Sequence, residues 1–190
     1  MKKTIKTVAI LLIISLFGSI LLQFGYNMLF VKPYAAETTK GGDGELTQML
    51  YESENLPDSY FENVELVSQR LEGALERIDI REDCADFTAC GLIRFYLENK
   101  DRLAEENKEE IKRTLTGFKY WMDQYDGRKD SMCHWSENHQ ILFATTEYLA
   151  GCEWPDAVFA DGRVGKDLVE FAKERINAWM YQRYYYGFNE

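Results

Sequence analysis

From Leu46 onward the apolar positions return every three or four residues, the period of a helix with one face turned inward. Tyr60, Val64, Val67, Leu71, Leu75 and Ile78 fall on one stripe, and Pro57-Asp58-Ser59 places a proline and an acid where a first turn favours them. One helix is predicted there. A second, over about Cys84–Asn99, carries Phe87, Gly91, Ile93, Phe95 and Leu97 on more than one face and is expected to be the more buried. A third is predicted over Asp101–Met122, from the acidic start Glu105-Glu106 through Ile111, Leu115 and Phe118 to a stop at Asp126-Gly127. A fourth runs from Ser136 to Leu149 and ends at Gly151; a fifth runs from Lys166 to about Tyr185, with Leu168, Phe171, Ile176 and Trp179 inward. No period-two run of useful length interrupts them, so the class is all-α. Helices of this length on short connections pack as antiparallel hairpins.

The first residues follow a different pattern. Lys2, Lys3 and Lys6 precede an uncharged stretch, Thr7 to Val31, whose 25 positions would reach roughly 37 Å as a helix, more than the ~30 Å hydrocarbon core requires. The organisation predicted is a basic cytoplasmic tail (1–6), a transmembrane signal anchor (7–31), a glycine-rich flexible linker (32–45) and an extracytoplasmic helical domain (46–190). The alternative is a cleaved signal peptide and a secreted domain. Pro33-Tyr34-Ala35-Ala36 suits it poorly, because tyrosine or proline would stand where cleavage wants a small residue.

Charge sharpens this reading. The chain carries 22 basic and 32 acidic residues, a formal net charge of −10. The four lysines of residues 1–36 leave 18 basic against all 32 acidic residues in the remainder, a balance of −14. Such a surface repels polyanions and excludes a nucleic-acid binder. It also disfavours, more weakly, a polyuronate.

Four cysteines lie in the helical part. Cys84 and Cys90, six apart on one helix, are about 240° apart around its axis and cannot bridge. Cys133 and Cys152 flank the fourth helix and would be roughly 25 Å apart. Pairs between helices, Cys84 or Cys90 with Cys133 or Cys152, stay open, as do four free thiols.

The densest polar cluster, Cys133-His134-Trp135-Ser136-Glu137-Asn138-His139-Gln140, holds both histidines of the chain. Ser136 suits a helix cap and Glu137 the positive end of a helix dipole, which accounts for two of these residues structurally. Asn138 and His139, entering an apolar helix, are either bonded inside the core or aimed at a ligand. The two histidines are five apart rather than four, and the sequence assigns neither a metal nor a cofactor. Acid–base chemistry remains. Amide and imidazole groups such as Asn138 and His139, with a tyrosine from Tyr184–Tyr186, are the types that β-elimination on a uronic acid uses. Glycoside hydrolysis wants two carboxylates, and Glu137, Glu153, Asp156, Asp161 and Glu190 are all candidates. The aromatic run Tyr184-Tyr185-Tyr186-Gly187-Phe188 presents apolar surface that wants a partner.

Three stretches carry a resemblance: Asp86 to Leu97, Thr114 to Asp123, and above all Trp135-Ser136-Glu137-Asn138-His139-Gln140-Ile141-Leu142-Phe143. They resemble large bacterial proteins of α/α-toroid architecture related to polysaccharide lyases and glycosidases, over roughly Ile80 to Glu190. The resemblance implies antiparallel helical hairpins forming an incomplete (α/α) toroid behind the transmembrane helix, further helices or a partner completing the ring, and a polysaccharide ligand. It implies a catalytic role for His139 and Asn138, with Glu137 as acid or base. The competing expectation is a non-catalytic cell-surface binding or scaffold module.

Overall fold

A computed structural model of the chain describes residues 43–188. Seven α-helices lie among them: α1 (Asp43–Glu52), α2 (Asp58–Phe61), α3 (Val64–Asp79), α4 (Ala85–Asn99), α5 (Glu105–Thr116), α6 (Glu137–Glu153) and α7 (Gly165–Tyr186). A 3-10 turn, Ser53–Asn55, follows α1, and no strand is present among the described residues beyond an isolated bridge between Val158 and Val164.

The long helix predicted after Pro57 is two. Asn63 interrupts it: its Oδ1 accepts the Leu66 N–H at 3.1 Å and starts α3 afresh, which leaves Tyr60 in the short α2. A side chain that satisfies a backbone donor locally competes with helix continuation. From there Val67, Leu71, Ala74, Leu75 and Ile78 turn the buried face of α3 inward. In α4 nearly every face is covered, and Ala89, Leu92, Ile93, Phe95 and Tyr96 are core residues, whereas Phe87 is 45% exposed.

The third predicted helix is shorter at both ends. Asn99 accepts the Arg102 and Leu103 N–H groups through its carbonyl, so a turn occupies 100–104, and α5 begins at Glu105. It stops at Thr116 because the next carbonyl, that of Gly117, is taken by the Arg81 Nη2 at 3.1 Å and also by Arg128. Beyond it, Phe118 and Tyr120 are buried as pegs of an irregular segment and Met122 is exposed. α6 runs past Leu149 to Glu153.

The directions of the helices follow from their end contacts. Asp86 and His139 meet near the starts of α4 and α6, while Lys100 meets Glu153 and Tyr96 meets Trp154 near their ends, so these two run side by side in the same direction. Asn107 bonds the Val64 carbonyl and Ser68 near the starts of α5 and α3, and Arg113 pairs with Asp79 near their ends, so these two also share a direction. Phe61, just before α3, stacks on Phe95 late in α4, which makes α3 and α4 antiparallel. α6 and α7 are antiparallel as well. Trp179 meets the first turn of α6, and Gly151 meets Gly165 at the other end.

That last contact is close. A Cβ on Gly151 would stand 2.7 Å from the Gly165 carbonyl oxygen, and one on Gly165 would run into the Trp154 carbonyl. Only glycine lets the backbones approach this far.

One feature of the expected fold needs correcting. Among the described residues the chain is all-helical, but no helix is long and apolar enough to cross a membrane, so the expected transmembrane helix has no counterpart there. The predicted tail (1–6), anchor (7–31) and most of the linker lie outside the described residues; the linker's last positions, from Asp43, belong to α1.

Arg81 ties the end of α3 to the irregular segment. With 1% of its side chain exposed it forks onto Asp126, Nη1 to Oδ1 at 2.9 Å and Nη2 to Oδ2 at 2.6 Å. This geometry holds the Asp126 carboxyl well below the usual carboxylate range. The unfolded chain releases that proton only near the ordinary value, so the pair's stabilisation is complete above about pH 4 and is lost as pH falls through the depressed value. Replacement Arg81→Met is expected to cost about 3 kcal/mol in urea unfolding at pH 7, with the gap to wild type narrowing in acid. Gly165→Ala should cost roughly 2 kcal/mol or more, because backbone rather than a flexible side chain is in the way; a calorimetric melt unchanged from wild type would contradict the contact.

Candidate functional site

Because α4 and α6 run together, their first turns lie side by side and bring Asp86 to His139. His139 Nδ1 is 2.9 Å from both carboxylate oxygens of Asp86. The Asp86 side chain is fully buried and that of His139 is 10% exposed. Burial raises the Asp86 carboxyl above its ordinary value, against the opposing pull of the His139 charge and hydrogen bond. Phe87 closes one side, its ring edge-on to the imidazole with centroids 5.2 Å apart. Tied in this way at Nδ1, the imidazole keeps Nε2 as its other functional nitrogen.

The structure separates the three residues singled out for catalysis. Adjacent helix positions differ by about 100° around the axis, so while His139 faces α4, Glu137 and Asn138 face α7. There they line a cleft of about 440 Å³ with Ile141, Trp179 and Phe188. Trp179 donates through Nε1 to the Glu137 carbonyl at 2.8 Å, and the Phe188 ring stands 5.8 Å from its own. The Glu137 carboxylate is paired with Arg183. Ser136 occupies the N-cap position but does not cap: its hydroxyl donates to Asn138 Oδ1 at 2.6 Å, and that oxygen accepts the His139 N–H at 3.0 Å. A smaller hollow of about 130 Å³ continues past Trp179 between Trp121, Gln140, Arg175 and Gln182. A larger groove of about 540 Å³ between α3 and α5 is walled by Glu72, Glu76, Asp79 and Glu110 and has no aromatic surface.

Beneath the smaller hollow lies a network that sequence reasoning missed. Glu147, with no side-chain exposure, accepts from Arg175 Nη1 at 2.7 Å and from Gln124 Nε2 at 2.5 Å. Gln124 Oε1 in turn accepts the Tyr120 N–H at 2.6 Å, and the Arg175 guanidinium lies 3.9 Å from the Trp121 ring centre. Desolvation pushes the Glu147 carboxyl up to about 7 and lowers Arg175 to about 10. Two signals were present in the chain: Glu147 is the one formal charge between Asn138 and Cys152, and Arg175 falls on the inward stripe of α7 with Leu168, Phe171 and Trp179.

The remaining candidates are placed apart. His134 is buried, stacked on Phe143 at 4.6 Å, and its pKa is lowered by desolvation. Glu153 is paired with Lys100 and Asp161 with Arg163, Asp156 is exposed, and Glu190 lies outside the described residues. Tyr184, Tyr185 and Tyr186 are exposed along the end of α7. No group of three or more His, Cys, Asp or Glu side chains among the described residues is arranged to hold a metal ion.

No protein-family model, curated protein or solved structure matches this chain. What the site can do is therefore read from its own side chains.

The raised Glu147 carboxyl sets a pH dependence. Between about pH 4.5 and 7 the folded state keeps a proton that the unfolded state has released, so stability falls as pH rises through that window. Glu147→Gln removes the titrating group; its loss of stability between pH 5 and pH 8, read from urea midpoints, is expected to be smaller than that of wild type by on the order of 1–3 kcal/mol.

Proposed function

We propose that this helical domain is a carbohydrate-binding module whose ligand sits in the cleft between the start of α6 and the second half of α7. One observation carries the reading. The cleft joins an apolar lining, formed by Trp179, Ile141 and Phe188, to the polar side chains of Asn138 and Glu137. A sugar has the matching duality: C–H faces that lie on an aromatic ring, and hydroxyls that pair with amide and carboxylate oxygens. Ligand pockets of this size commonly combine an apolar lining with a few fixed polar groups. The likeness of the Trp135–Phe143 run to a carbohydrate-active protein group points to the same ligand class.

Binding is favoured over turnover by how the chemical groups are held. Glu137 is engaged by Arg183, and His139 is turned toward Asp86, away from the cleft. A second reading rests on the Asp86–His139 pair itself, since a carboxylate fixing Nδ1 prepares Nε2 for proton transfer in an eliminating or hydrolysing enzyme.

Titration of a panel of neutral and uronic oligosaccharides, followed by tryptophan fluorescence and calorimetry, tests the first reading. Trp179→Ala is expected to weaken binding at least about tenfold, and Asn138→Ala about fivefold, the loss of one hydrogen bond. Absence of binding across the panel ends the proposal. Sugar release or unsaturated-uronate absorbance that disappears in His139→Ala would instead favour the enzyme.

A further inference from the structure

We propose that Cys84 and Cys133 form a dithiol/disulfide pair that, when oxidised, staples the first turn of α4 to the segment leading into α6. All four cysteines are thiols in this structure. Spacing alone left four inter-helix pairings open; the fold singles out one. Cys152 is exposed near the far end of α6, and Cys90 is half-buried in the middle of α4. Cys84 and Cys133 share the opposite end of the α4–α6 pair.

Two ties bracket them. On one side the Ser131 N–H donates to the Arg81 carbonyl at 3.1 Å, and the Ser131 hydroxyl reaches the same oxygen at 3.4 Å. On the other, His139 bonds Asp86. Cys84 lies between Arg81 and Asp86, and Cys133 lies between Ser131 and His139, so both backbones converge on the same place. Cys133 Sγ stands 3.8 Å from Ser136 Oγ, which keeps it at the head of α6. Burial raises the Cys84 thiol, and the Asp83 and Asp86 carboxylates add to that shift against Arg77. Cys84 is the N-cap residue of α4, in a left-handed conformation with φ of 64°, and makes no side-chain cap bond, so pairing its sulfur sacrifices no helix cap.

The oxidant is a low-molecular-weight disulfide such as oxidised glutathione. One cysteine thiolate attacks it, forming a mixed disulfide and releasing one small thiol; the second cysteine then displaces the other. Two protein S–H bonds are replaced by one S–S bond, the small disulfide is reduced to two thiols, and the electrons balance. The product would fix the segment that carries Asp86 against the one that leads to Asn138 and His139.

The test treats the folded full chain with excess oxidised glutathione, blocks the remaining thiols with N-ethylmaleimide, and maps linkages by protease digestion and peptide fragmentation. A Cys84–Cys133 link with Cys90 and Cys152 blocked is expected. The link should persist in Cys90→Ser and Cys152→Ser and vanish in Cys84→Ser and Cys133→Ser. A link joining any other two cysteines, four blocked thiols, or glutathione adducts alone overturns the proposal; fragmentation of the wild-type chain decides it even where a variant folds poorly.

Discussion

A carboxylate with no contact with water, Glu147, ties the irregular part of the domain to its helices. Residues 117–136 form no helix or strand and would be costly to order without fixed anchors. Gln124 delivers that segment to Glu147, Arg175 brings α7 to the same carboxylate, and its guanidinium sits over the Trp121 ring. Burying these charges is expensive, which is why both partners titrate away from their ordinary values. The arrangement is tolerated because every oxygen of Glu147 has a donor. Its return is positional: α6, α7 and the connecting segment are held in one register, and both hollows beside Trp179 depend on that register.

The short run from Ser136 to Ile141 serves two neighbours at once. His139 looks to α4 and completes a buried polar contact, while Glu137, Asn138 and Ile141 look to α7 and shape the cleft. A cluster that reads as one site along the chain is thus divided by helical geometry into a structural half and a surface half. The functional proposal follows from that division, since the cleft is lined by Glu137 and Asn138 while the imidazole is committed to a neighbouring helix.

The helical character and most helix positions were legible because the apolar period is a local property: α3 from Val67 to Ile78 and α7 from Leu168 are written in their own stripes. Boundaries were less so. The break at Asn63 depends on a side chain choosing a cap, and the end of α5 depends on Arg81, more than thirty residues away, reaching the Gly117 carbonyl. Of the site, Asn138 and His139 stood out by type, but nothing local says that His139 meets Asp86, because that contact exists only once α4 and α6 lie parallel. Glu147 and Arg175 were visible as charges in apolar company and acquire meaning only as a pair.

The near-contact of Gly151 with Gly165 acts as the fulcrum of a lever. Trp179 lies fourteen positions along continuous helix from Gly165, an arm of roughly 21 Å. A tilt of about 5° at the fulcrum would therefore swing the indole by roughly 2 Å. Two missing methyl groups at one end of the helix pair thus set the jaw width at the other, and the aperture of the cleft is governed from a place that no ligand would touch.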